Sequence, residues 1–99
     1  MNRTEAAAIL AEQLERYRAK PYAELLTLTG DLEVYEVSGP SGHHYQIEIE
    51  VMWDHKPGGE LRVVASIDDG GWSAIRPLCQ SLLVPPHSRP PRRAAEKTL

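Results

Sequence analysis

Between Tyr45 and Ile67 the chain alternates apolar and polar residues with a period of two. Tyr45, Ile47, Ile49, Val51 and Trp53 take one set of positions and Gln46, Glu48, Glu50 and Met52 the other, which predicts a strand with one buried face. Leu61, Val63, Ala65 and Ile67 repeat the pattern. Bringing both apolar sets to one face requires pairs such as Trp53 with Leu61, Val51 with Val63, Ile49 with Ala65 and Ile47 with Ile67. The connection is then His55 to Gly59, where Pro57 and two glycines suit a tight closure. The same register sets Met52 beside Arg62, Glu50 beside Val64 and Glu48 beside Ser66 on the second face, with Glu50 diagonal to Arg62.

Upstream the period changes. Ala7, Leu10, Leu14 and Tyr17 recur at spacings of three and four, and the alanines around them favour a helix over residues 3 to 19, with Asn2 as its cap and Glu5 in its first turn. Glu12 and Arg16 are spaced to pair on its exposed side. Pro21 ends that helix and opens a short second one with Tyr22, Leu25 and Leu26 on its apolar side and Gly30 as its terminator. Leu32 to Val37 reads as a first strand whose phase shifts: Leu32 and Val34 share one face, Tyr35 and Val37 the other. That predicts a bulge near Val34 or apolar cover on both sides. Ser38 to Gly42 is a turn. Asp68 to Gly71 is another, followed by a strand from Trp72 to Ile75 that Pro77 ends, the side of Trp72 depending on loop length. Leu78 with Leu82, Leu83 and Val84 supplies one more short strand. The expected fold is α+β, an N-terminal helical layer packed on one face of an antiparallel three- to four-stranded meander sheet. Residues 1–84 form the domain and residues 85–99 a flexible, basic, proline-rich tail.

At 99 residues the chain holds one small core. The net charge of −3 conceals an asymmetry. Up to Val84, seven basic against thirteen acidic residues leave −6, while Arg89, Arg92, Arg93 and Lys97 against Glu96 leave +3 in the tail. An acidic body repels phosphate backbones, so nucleic acid is an unfavoured partner. With no run of about 18 apolar residues and no signal-peptide pattern, neither membrane insertion nor secretion is expected, and the compartment expected is the cytoplasm. The single cysteine, Cys79, excludes an internal disulfide and is expected to serve as a small buried apolar residue.

Three constellations bear on chemistry. His43 and His44 lie, in the register above, near Asp68 and Asp69, a nitrogen and oxygen donor set of the kind that holds a divalent metal. Adjacent histidines on a strand point to opposite faces, however, and aspartates in such a turn more often serve its amides. Glu48 and Glu50 share a face about 7 Å apart by strand geometry, but paired acid-base work needs a cleft that a flat sheet lacks. Glu48, Glu50, Met52, Arg62 and Val64, joined by Tyr35 or Val37, make a mixed apolar and charged face suited to a protein contact or to a two-fold dimer in which Glu50 meets Arg62. Ser41 lies close to His43, yet without a nucleophile elbow or an orienting acid its hydroxyl is expected to serve the turn.

The run Trp53-Asp54-x-Lys56-Pro57-Gly58-Gly59-x-Leu61-Arg62-Val63, followed by Ile67-Asp68-Asp69-Gly70-Gly71-Trp72, resembles a pattern of small bacterial α+β domains of unknown function. Tyr22-x-Glu24-Leu25 and Ser38-Gly39-Pro40-Ser41-Gly42 also fit, so the resemblance covers most of residues 17 to 78, while the segment from Cys79 departs from it. It implies a compact α+β domain of unknown function. No catalytic residue and no cofactor is expected. The leading expectation is a non-enzymatic interaction or regulatory module that binds a partner protein or a second copy of itself. The alternative is a small-molecule or metal-binding protein, using a helix/sheet pocket lined by Tyr17, Tyr45, Trp53 or Trp72, or the His43/His44 end of the sheet.

Overall fold

The structure, a computed structural model, describes residues 1–71 and 77–86. Its elements follow in the order α1 (Arg3–Arg18), α2 (Tyr22–Thr27), β1 (Leu32–Ser38), β2 (His44–Trp53), β3 (Leu61–Asp68) and β4 (Leu78–Val84). The four strands form one antiparallel sheet in chain order, with the helices on one side. This is the expected α+β meander.

α1 starts where expected: the Asn2 side chain accepts the Glu5 amide at 3.0 Å. Its inward stripe is Ala6, Leu10, Gln13, Leu14 and Tyr17. Arg16 donates to Gln13 at 2.9 Å rather than pairing with Glu12. Pro21 caps α2, which buries Leu25 completely, and Tyr22 ties it to the β2–β3 loop by donating to the Gly59 carbonyl at 2.8 Å.

The central hairpin has the register that the alternation predicts, from Trp53 opposite Leu61 to Ile47 opposite Ile67. Tyr45, Ile47, Ile49, Val51, Leu61, Val63, Ala65 and Ile67 are all buried beneath the helices. Each large aliphatic side chain in this set contributes about 1.5–3 kcal/mol relative to exposure, so the hairpin supplies much of the core. Leu82 and Val84 complete it from β4, opposite Val63 and Leu61.

Two expectations need correction. β1 carries no bulge: it pairs without interruption from Leu32 opposite Glu50 to Ser38 opposite His44. Leu32 and Val34 therefore lie on the helix-free face, and Tyr35 and Val37 on the helix side, half-buried. Cys79 is exposed, because burial of Leu82 and Val84 in a strand of period two turns Cys79, Ser81 and Leu83 to the opposite face. The expected strand from Trp72 to Ile75, the side taken by Trp72, and the tail beyond Pro86 lie outside the described residues.

Candidate functional site

The helix-free face of the sheet gathers all five residues proposed for an interface. Glu48, Glu50 and Met52 come from β2, Arg62 and Val64 from β3, and all are half-buried. Ladder pairing adds four more. Leu32 lies opposite Glu50 and Val34 opposite Glu48 on one side of β2, while Ser81 lies opposite Val64 and Leu83 opposite Arg62 on the far side of β3. Leu32, Val34 and Leu83 are 56, 49 and 44% exposed, so three of the four large exposed apolar side chains among the described residues lie on this one surface, two at its β1 edge and one at its β4 edge. A sheet covered by helices on one side leaves such a face to water or to a partner.

Its charges are unevenly engaged. The Arg62 guanidinium donates to Asp54 at 2.7 Å and to Ser81 at 2.9 Å, which pins it flat across β2, β3 and β4. Glu50, expected to be its diagonal partner, loses that role to Asp54. Neither Glu48 nor Glu50 receives a hydrogen bond from a described residue, and with Glu36 and Asp68 on the same face the surface is acidic and apolar together.

The loop end of the sheet is arranged differently from a metal site. His43 and His44 do point to opposite faces: His44 Nδ1 lies 2.9 Å from Ser38 Oγ, and His43 Nδ1 lies 2.7 Å from Ser41 Oγ. Asp68 accepts the Gly70 amide at 2.8 Å and Asp69 the Gly71 amide at 3.1 Å, while the other Asp69 oxygen sits 3.2 Å from the Met1 ammonium. These side chains serve the turns. Among the described residues no three His, Cys, Asp or Glu side chains converge as metal ligands.

Glu5 is the residue that composition and spacing did not single out for this end. From the first turn of α1 it accepts the Ser41 hydroxyl at 2.7 Å, the Ser41 amide at 2.9 Å and the Tyr45 hydroxyl at 2.7 Å, clasping the β1–β2 loop to the helix. The Ser41 hydroxyl, then the Tyr45 hydroxyl and the Ser41 amide, hold its carboxyl below the usual range. Burial, reinforced by the bond to Glu5, pushes the Tyr45 hydroxyl up to about 12. Gly39 is required by the clasp, since a Cβ there would overlap the Glu5 carboxylate. The arrangement differs from a nucleophile triad, which sets its acid behind the histidine, whereas here the carboxylate accepts the hydrogen bond of the serine hydroxyl itself. Only Gly39, a residue without a side chain beside a proline, hints at this contact in the sequence.

Of the walls expected for a helix/sheet pocket, Tyr17 and Tyr45 are themselves packed into the core, and Trp72 lies outside the described residues. Tyr17 is 6% and Tyr45 1% exposed, and the Tyr17 hydroxyl donates to Glu33 at 2.8 Å. Tyr35 donates to Gln13, so the rim between α1 and β1 is closed by tyrosines. An open groove of about 490 Å³ lies outside the helix instead, between Pro40 and the side chains of Glu5, Ala8, Ile9 and Glu12. Among the described residues no helix is long and apolar enough to cross a membrane. No family model, curated protein or solved structure matches the chain.

Proposed function

We propose that the protein is a non-enzymatic interaction module whose working surface is the helix-free face of its sheet. The observation that carries this reading is the clustering of Leu32, Val34 and Leu83 around Met52 and Val64, interleaved with the unengaged carboxylates of Glu48 and Glu50. Such a face suits a protein partner that offers apolar side chains flanked by lysine or arginine, because the apolar contacts supply affinity and the carboxylates set orientation. A face-to-face dimer through Glu50 and Arg62 is less favoured, since Arg62 is already held by Asp54 and Ser81. The test is site-specific photocrosslinking in cells. A crosslinker at Val64 or Leu83 should give a discrete adduct that Glu48→Lys with Glu50→Lys abolishes, whereas one at Glu12 on the outer side of α1 should not. Equal labelling from both surfaces, or none from the sheet, would refute the reading.

A further inference from the structure

The edge of β1 is a second surface, and its backbone bonding defines what fits it. In the β1–β2 loop the Gly39 amide donates to the His43 carbonyl at 2.9 Å, so Gly39 and His43 are a hydrogen-bonded pair. Bonded and non-bonded pairs alternate along an antiparallel ladder. Val37 with Tyr45, Tyr35 with Ile47 and Glu33 with Ile49 are therefore bonded, and the N–H and C=O groups of Leu32, Val34, Glu36 and Ser38 point away from β2. No described residue bonds to these groups.

The guards of β1 against pairing are few, its only charged side chains being Glu33 and Glu36. It contains no proline, no lysine and no bulge, the usual guards of an edge strand. α1 lies over β3 and β4, and none of the seven β1 residues is fully buried. The other edge differs: β4 runs beneath α1 and is bracketed by Pro77 on one side and Pro85 and Pro86 on the other.

We propose that β1 pairs antiparallel with β1 of a second copy about a two-fold axis at Tyr35, joining two four-stranded sheets into one. This rests on reading the protein as an interaction module, and it names a second copy as one partner. The register follows from parity. Keeping both helical layers on the same side requires residues of like parity to face each other, and two-fold symmetry then allows the axis at Val34, Tyr35 or Glu36. An axis at Glu36 sets the two Glu36 carboxylates opposite one another, and an axis at Val34 carries Ser38 past the start of the strand to face Gly30. The Tyr35 axis engages all seven residues: Leu32 with Ser38, Glu33 with Val37, Val34 with Glu36, and Tyr35 with itself. No carboxylate faces a carboxylate. The outward-facing residues then meet only one another, forming about eight backbone hydrogen bonds, two for each bonded pair.

The test is light scattering on the full chain across a concentration series. The wild type should pass from monomer to dimer and stop there. Glu36→Pro removes an outward N–H without breaking a bond to β2, so it should weaken the dimer by at least about tenfold while leaving the far-ultraviolet circular dichroism unchanged. If that variant fails to fold, Leu32→Lys with Val34→Lys should have the same effect through edge charge. Leu83→Glu, on the open face but far from β1, should dimerise like the wild type. A wild type that stays monomeric, a mass that keeps growing as β1 pairs head-to-tail with β4, or a Glu36→Pro variant that dimerises normally would each overturn the proposal. Loss of the dimer in Leu83→Glu alone would overturn it in favour of the open face, leaving the interaction reading standing.

Discussion

Alanine at Val63 and, separately, at its neighbour Val64 makes a matched pair that tests whether the sheet has one dry face. The residues are adjacent in β3, so the change in strand propensity is nearly common to both and the difference reports surroundings. Val63 is fully buried, with Val51 opposite on β2 and Leu82 opposite on β4. Losing two carbons there costs about 1.6 kcal/mol of transfer free energy at about 0.8 kcal/mol each. Strands on both sides hold the site open, and a residual void on the order of 40 Å³ adds about 1 kcal/mol. Val64 is half-buried between Glu50 and Ser81 on the open face, where water fills the space, so its loss should stay below about 1 kcal/mol. Urea unfolding should thus separate the two by roughly 1.5–2 kcal/mol with unchanged m-values, and for a domain of this size the melting temperatures should differ by roughly 6–16 °C. Equal losses, or a larger one at Val64 in dilute solution, would refute one-sided burial and with it the case for an available face.

Two further outcomes follow from the polar rim. Tyr35→Phe removes the hydroxyl that donates to Gln13, but Arg16 still donates to that oxygen, so the cost should be about 1 kcal/mol by urea unfolding; a loss above about 3 kcal/mol would mean that the rim is a cooperative network. Because the Glu5 carboxyl is depressed in the folded state, its contribution is present above the unfolded value of 4.5 and is lost as pH falls through the folded one; because the Tyr45 hydroxyl is raised to about 12, its contribution is full below 10 and is lost between 10 and 12. Melting temperature against pH should fall at both ends in the wild type, with a shallower acid limb in Glu5→Gln and a shallower alkaline limb in Tyr45→Phe; superimposable curves would remove Glu5 from the clasp.

The hairpin was legible because residues 44 to 51 alternate strictly, and, among the registers that put both apolar sets on one face, a closure at His55 to Gly59 selects the one with Trp53 opposite Leu61. The parity of β1 was not, since Leu32, Val34, Tyr35 and Val37 offer apolar residues to either side. Pairing with β2, fixed by the Gly39–His43 closure, decides it, and the decision costs exposure of Leu32 and Val34. Glu5 and Ser41 are 36 positions apart, so their contact exists only once the helix crosses the loop. Arg62 had two carboxylates in reach by strand geometry. Asp54, which sits just past β2 where the chain leaves the ladder, is the one placed to meet its Nε.

The exposed sulfur of Cys79 has a practical use. It is the only thiol in the chain, and it projects from β4 opposite Ser66, on the same side as Val64 and Leu83. A fluorophore attached through maleimide would therefore label a single known spot, and its emission would shift when another molecule settles over that side and excludes solvent. The protein thus carries its own optical reporter for occupancy, with no engineered residue needed.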